Sequence, residues 1–320
     1  MTDSSELRTL RVTRKVQIAK DIHLMELRSD DEAHLPPFTA GAHLPIRVPN
    51  GSMRQYSLCS SPEVTDSYTI AVKREAKGRG GSISLVDGVA EGSTILAGEP
   101  RNLFALTEKA KSFILVAGGI GITPMIAMAH ALQSEGLRSF KLYYLTRDEE
   151  STAFAEELRS PDLTGRVVIH HDHGNPSQSL DLWSVFENPI NGTHVYCCGP
   201  QGLMDSVRDM TGHWPDSAIH FESFGADTRP HADDQPFVIE LARTGCTLHV
   251  EAGQTILQVL HQNKVAVPSS CESGTCGSCK VGLLQGEADH RDQVLMPEER
   301  GDHVMVCVSR ARGPKLVLDL

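Results

Sequence analysis

Four cysteines dominate the chemistry this chain can do. Cys271, Cys276 and Cys279 stand in the run Cys-Glu-Ser-Gly-Thr-Cys-Gly-Ser-Cys, and Cys307 follows after 27 intervening residues. Four thiolates at C-x4-C-x2-C plus one distant Cys are the ligand set of a plant-type [2Fe–2S] cluster. Gly274 and Gly277 let the loop bend and turn amide N–H groups toward the sulfurs. A structural zinc site would carry a second Cys or His pair, and the distal half has a single Cys. A disulfide framework needs an oxidising compartment. Met1 is not followed by an apolar secretory segment, and no 18-residue apolar run exists, so a cytoplasmic protein is expected, neither spanning nor bound to a membrane. Cys307 sits in the apolar run His303–Val308, which reads as a strand.

Two glycine-rich stretches are the second chemical signal. Lys77-Gly-Arg-Gly-Gly-Ser82 leads into Ile83-Ser-Leu-Val86, a turn opening a helix, so free N–H groups can meet an anion. Arg79, Gly80, Gly81 and Ser82, with Arg54, make a phosphate the expected guest. Downstream, the apolar run Ser112–Ala117 enters Gly118-Gly-Ile-Gly-Ile-Thr-Pro124 and a helical pattern over 125–133. Gly118, Gly119 and Gly121 would admit a pyrophosphate, with Thr123 as N-cap and Pro124 at the first helical position. Pro124 stands where the dinucleotide fingerprint G-x-G-x-x-G has its last glycine. Asp172, after a strand, is the candidate for a cofactor ribose. The tract His170-His-Asp-His173 reads as a strand end with its loop rather than a metal site.

The elements that must position these residues follow from periodicity. Residues 8–105 are short alternating strands punctuated by Pro36-Pro37, Asn50-Gly51 and Glu91-Gly92, which predicts a small antiparallel β-barrel. Strands at Lys141–Leu145, Arg166–Ile169 and Thr193–Cys198 alternate with helical stretches near 152–159 and 201–211, which predicts a doubly wound parallel sheet. Phe237–Leu241 and Cys246–Val250 form a hairpin around Thr244-Gly245, followed by a helix over Gln254–Gln262; Cys246 is expected in the core. Domain boundaries are expected at 1–105, 106–225, a polar linker 226–236, and 237–320. Basic and acidic side chains number 13 and 13 in residues 1–105, 9 and 18 in 106–236, and 8 and 10 in 237–320, totalling the net charge of −11. No segment is basic, which argues against nucleic-acid binding.

Arg54-Gln-Tyr-Ser57, the glycine loops, Cys198-Gly-Pro200, and the long stretches AVKREAKGRGGSIS, GGIGITPM, CCGPQGLMD and PSSCESGTCGSCK resemble the phthalate dioxygenase reductase family of the ferredoxin–NADP reductase superfamily. The likeness runs over essentially the whole length. It implies a flavin barrel, an NAD-binding domain and a C-terminal β-grasp ferredoxin domain. It also implies FMN, NADH and a [2Fe–2S] cluster as the redox groups, and a Rieske-type oxygenase as partner. Tyr56 would stack on the flavin, Ser57 would meet its reactive edge, and Arg54 its phosphate, with Gln55, Ala71, Val72 and Lys73 also lining the ring. Cys198, Gly199 and Pro200 would align the nicotinamide, and Phe224 would cover the other flavin face; Phe221 reads as a plain anchor. The implied activity is a reductase that takes a hydride from NADH and delivers electrons singly. The alternatives are a reductase for another Rieske oxygenase, such as an aromatic O-demethylase, or a ferredoxin-type carrier without nucleotide chemistry. A monomer that docks its oxygenase transiently is expected, because the cluster loop carries only Glu272 and Lys280 as charges.

Overall fold

The structure, a computed structural model, describes residues 7–30, 34–76, 78, 80–224, 234–269, 272, 274, 277–292 and 294–320. It divides into two compact units at Glu222/Ser223. Arg79, Cys271, Cys276 and linker residues 226–233 lie outside the described residues.

The first unit begins with a six-stranded antiparallel sheet. In chain order it has β1 (Arg8–Ala19), β2 (Ile22–Ser29), β3 (His43–Arg47), β4 (Met53–Ser57), β5 (Ser67–Lys73) and β6 (Thr94–Ala97), arranged β4-β3-β6-β1-β2-β5. Alternation drives it: Leu10 and Val12 of β1 are buried between exposed neighbours, and Met25 and Leu27 of β2 between half-buried or exposed ones. Sequence periodicity did not separate β2, because its turn lacks Gly. Asp21 supplies the left-handed residue instead, at φ 58°. The ends of the two outer strands meet at the Leu58–Ile70 bridge, at Cys59 N–H donating to Thr69 O over 2.9 Å, and at Thr69 N–H donating to Ser60 Oγ over 3.4 Å. Helix α1 (Gly81–Gly88) follows β5, and the Lys15 ammonium donates to the carbonyls of Val86 and Val89 near its C-terminus.

The second half of this unit is a parallel sheet ordered β11-β10-β7-β8-β9. Its strands are β7 (Ser112–Gly118), β8 (Ser139–Thr146), β9 (Val167–His171), β10 (Thr193–Cys198) and β11 (Ile219–Glu222). Helices α2 (Ile122–Glu135), α3 (Ala155–Leu158), α4 (Trp183–Phe186) and α5 (Gln201–Met210) connect them. The central strands β7 and β10 are buried on both faces, hence their unbroken apolar runs. Phe113, Leu115, Tyr196 and Cys198 pack in the core shared with α2, whereas Val116, Val195 and Cys197 share the other with Met204 and Trp214. Ile122, Met125, Ile126, Met128 and Leu132 of α2 are fully buried, at about 1.5–3 kcal/mol each. Packing rather than propensity therefore holds this helix. It starts earlier than the sequence suggested. Gly121 is its N-cap, and Thr123 lies inside, its hydroxyl donating to Ile120 O at 3.0 Å.

The second unit has β12 (Phe237–Leu241), β13 (Cys246–Val250), α6 (Ile256–Gln262), β14 (Lys280–Gln285), β15 (Ala288–Asp289), β16 (His303–Met305), β17 (Arg310–Ala311) and β18 (Lys315–Leu318). Five strands form a mixed sheet, β13-β12-β18-β14-β16, with β12 and β18 parallel, and β15 pairs with β17. Ile256, Leu257, Val259 and Leu260 of α6 join the sheet's core. A capping box sets its start: Thr255 Oγ1 accepts Gln258 N–H, and Gln258 Oε1 accepts Thr255 N–H. Two expectations fail here. Cys246 is exposed, because β13 is an edge strand with only Val250 fully buried. Cys307 is not on a strand: β16 ends at Met305, whose carbonyl accepts N–H bonds from Val308 and Ser309, so the thiol sits in a turn. Among the described residues no helix is long and apolar enough to cross a membrane.

Candidate functional site

Beyond the Leu58–Ile70 bridge the two end strands of the barrel part. Continuing that antiparallel register sets Ser57 opposite Ala71, Tyr56 opposite Val72, and Gln55 opposite Lys73, with no ladder between them. The result is a slot with a free backbone edge on each side. Ala71 and Val72 have buried side chains, so they offer the slot main-chain groups, whereas Lys73 is exposed. Ser57 is 4% exposed and its hydroxyl oxygen is buried with no partner among the described residues. A buried, unmatched hydroxyl costs about 1–3 kcal/mol unless a guest completes it. Tyr56 leans on the barrel core, its phenol pushed up to about 12 by burial, against the opposing pull of Arg54. Below them Gly80, at φ 78°, caps α1, whose first N–H groups have no helical partner. Arg54 packs on Gly81 so closely that an added Cβ would lie 2.7 Å from its Nε. Ser82 Oγ accepts Glu75 N–H at 3.0 Å and keeps its own proton to donate. The slot, the bare helix end and the guanidinium together fit a flat ring carrying a phosphate.

At the C-terminal edge of the parallel sheet, the β7–α2 and β10–α5 loops interlock. A Cβ at Gly118 would lie 2.6 Å from Pro200 Cδ, one at Gly199 3.0 Å from Gly118 N, and one at Gly121 2.1 Å from Cys198 O. Gly121 and Gly199 therefore exist for backbone contact between the two loops, and Gly118 leaves room for the Pro200 ring and the Leu203 side chain. Gly119 differs: its φ is +54° and nothing lies within 4 Å of where a Cβ would be, so it is the glycine that borders open space. Thr123 is 2% exposed and does not reach that space. Cys198 is fully buried and its thiol is pushed well up, by burial first and then by Glu222, its register partner on β11. Across the sheet, Asp172 N–H donates to Thr146 O and His173 N–H to Arg147 O, which ties together the ends of β8 and β9. The Asp172 carboxylate accepts Gly174 N–H at 2.8 Å. In the histidine tract, the His170 ring meets Gln178 O at 2.6 Å and His171 meets the Thr152 hydroxyl at 3.1 Å. Phe224 is 45% exposed, and Arg208 lies over the Phe221 ring at 4.5 Å.

In the second unit, Cys279 and Cys307 are 2% and 1% exposed. Val306 N–H donates to Cys279 O, so the strand end and the turn bring the two cysteines' backbones together. Gly274 and Gly277 are left-handed at φ 73° and 78°, as the bend of a ligand loop requires. Two buried thiols on two such bends suit thiolate ligation.

Three family models match the chain: an oxidoreductase FAD-binding domain over residues 9–101, an oxidoreductase NAD-binding domain over 115–209, and a 2Fe-2S iron-sulfur cluster binding domain over 239–312. Phthalate dioxygenase reductase of Burkholderia cepacia is 57% identical over 97% of both chains. The chain belongs to the phthalate dioxygenase reductase family. The phthalate 4,5-dioxygenase oxygenase reductase subunit of Pseudomonas putida is 52% identical, covering 97% of this chain and 96% of that one. A solved phthalate dioxygenase reductase, described as a modular structure for electron transfer from pyridine nucleotides to [2Fe–2S], superposes with a TM-score of 0.85 at 56% identity, covering 98% of each chain.

For a reductase of this family one site residue escaped sequence reasoning. Glu222 Oε2 is buried without a partner among the described residues, and burial pushes the carboxyl up to about 8. Nothing in His-Phe-Glu-Ser-Phe marks it; only the β10–β11 register places it beside Cys198. Tyr196, two residues before Cys198 on the same face, braces that strand. Its hydroxyl donates to Ala105 O at 2.8 Å and accepts Thr107 N–H at 2.9 Å.

Proposed function

We propose that this chain is the NADH-dependent reductase component of a Rieske-type aromatic oxygenase, with a phthalate dioxygenase as the partner. The single observation that carries the reading is the juxtaposition, in one unit, of a slot with an orphan hydroxyl at Ser57 and a glycine-locked crevice at Gly119 and Cys198. A cysteine loop of cluster spacing then follows on the same chain. The two relatives named for phthalate dioxygenase systems support the partner.

Bound FMN would accept a hydride and release electrons one at a time, and a [2Fe–2S] cluster would carry them singly. The protein's own residues bind and orient. Arg54, Arg79, Gly80, Gly81 and Ser82 hold the flavin phosphate, which favours FMN over FAD. Tyr56 and Phe224 sandwich the ring, Ser57 donates a hydrogen bond to its reactive edge, and the free main chain of Ala71, Val72 and Lys73 orients it, beside Gln55. Gly119 admits the NADH pyrophosphate, Asp172 takes the ribose, and Cys198, Gly199 and Pro200 set the nicotinamide over the slot. Gly118, Gly121 and Thr123 act behind the crevice, fixing its loops. The acidic middle segment, nine charges net negative, favours NADH over NADPH, against the pull of exposed Arg147. Cys271, Cys276, Cys279 and Cys307 hold the cluster. Functionally the chain divides at 1–105, 106–225 and 237–320, and works as a cytoplasmic monomer that meets its oxygenase transiently.

The test is turnover of phthalate by a purified Rieske oxygenase with this chain and NADH. Phthalate-dependent NADH consumption supports the reading. Turnover only with another Rieske oxygenase, such as an aromatic O-demethylase, would overturn the choice of partner. Failure with all, beside intact NADH–ferricyanide activity, would overturn the oxygenase role.

A further inference from the structure

Asp292 stands where the two halves of the cysteine set are joined. Its side chain is 0% exposed. One oxygen accepts the N–H groups of Val294 at 3.2 Å and Leu295 at 2.8 Å, and the other accepts the Ser309 hydroxyl at 3.4 Å. Val294 lies on the cysteine loop: a Cβ at Gly277 would come within 3.4 Å of its Cγ1. Ser309 closes the turn that carries Cys307. One carboxylate thus ties the Val294 turn, which lies beside Gly277, to the turn that carries Cys307.

Among the described residues no guanidinium pairs with it. Arg291, the adjacent cation, is committed to Asp234 at 2.5 Å and Asp289 at 2.7 Å. Arg310 points at Asp234, 3.6 Å away, and donates to the carbonyls of Gln254, Gln235 and Glu251. His290 is the other titratable neighbour, with Nδ1 at 3.7 Å and Nε2 bonded to Arg300 O at 3.0 Å. Within a protein a charge acts over several ångströms far more strongly than in water, and cluster potentials follow local charge and hydrogen bonding.

We propose that Asp292 is a positioning residue that also sets the cluster's potential. It pins the Val294 turn to the turn that carries Cys307, and its buried negative charge opposes arrival of the single electron, so that the electron passes readily to the partner. No bond is made or broken: one electron enters from the NADH-reduced half and one leaves to the oxygenase. The proposal rests on assigning the cluster to Cys271, Cys276, Cys279 and Cys307.

The experiment is a redox titration of the full holoprotein against a dye of known potential, with EPR and iron content read on the same samples. Asp292→Asn keeps the shape and drops the charge. It should shift the equilibrium toward the reduced cluster by about threefold or more, with the flavin titration unmoved. Asp292→Ser, a short cap without charge, should shift it the same way. An unshifted equilibrium in either variant that retains its iron overturns the proposal. So does loss of iron from both, which would leave Asp292 a structural anchor only. Absence of a [2Fe–2S] EPR signal from the wild-type protein would instead overturn the cluster assignment.

Discussion

The barrel slot at Ser57 and the glycine-locked crevice at Gly119 share one unit but are built on opposite principles. The slot is made by what is present: a guanidinium, a phenol, and, among the described residues, an unmatched hydroxyl and two unpaired strand edges. The crevice is made by what is missing, since Gly121 and Gly199 let two loops touch through their backbones. A long side chain short of room can turn aside, whereas a carbonyl inside two interlocked loops cannot. The slot should therefore lose function gradually on substitution, and the crevice should fail as a structure.

Gly121→Ala is the harshest test of this difference. Its Cβ would lie 2.1 Å from Cys198 O and 2.9 Å from Gly199 N, both main-chain atoms. We expect a loss of about 3 kcal/mol. That corresponds to a melting temperature lower by about 6–12 °C, together with loss of NADH–ferricyanide activity. A stable, active variant would break the comparison. Ser57→Ala acts on chemistry alone. Stopped-flow reduction by NADH should slow about 100-fold with flavin content and melting temperature unchanged; a fall in stability instead would make Ser57 a structural residue. Gly81→Ala is milder, because the nearest atom is Arg54 Nε at 2.7 Å, on a side chain that can move. Flavin should bind about tenfold more weakly by fluorescence titration at under about 1.5 kcal/mol cost in stability. Full loss of flavin would show that the slot is as unforgiving as the crevice.

The last effect is electrostatic. Burial raises the Glu222 carboxyl to about 8, above the ordinary value of about 4.3. Between those values the folded chain holds a proton that the unfolded chain has lost, so stability is full below about pH 4.3 and declines as pH rises to 8. Glu222→Gln should flatten that decline in melting curves taken from pH 5 to 8. An unaltered slope would place the proton elsewhere.

Much of this architecture was legible because local and global signals agreed. Thr193–Cys198, Phe237–Leu241 and Cys246–Val250 have the same bounds in sequence and structure, since each is an apolar or β-branched run closed by turn residues. Misreadings came where tertiary contacts decide. Thr123 looks like a cap, but the Gly121–Cys198 contact starts the helix earlier. Cys246 alternates with apolar residues yet lies on an edge strand, which no local pattern reveals. The Cys307 run looks like a strand, and the turn bonds to Met305 O end it. Spacing marked the cysteine loop and the glycine runs. It could not say which glycines face a guest and which face one another, nor that Glu222 and Asp292 are buried, because those facts arise from register between distant segments.

The central claim is that NADH oxidation by the flavin needs none of the four cysteines and that single electrons leave only through the cysteine loop. Steady-state assays of Cys307→Ser with two acceptors test it most directly. The account predicts NADH–ferricyanide reduction at the wild-type rate and loss of cytochrome c reduction. Loss of both activities, or retention of both, would contradict it.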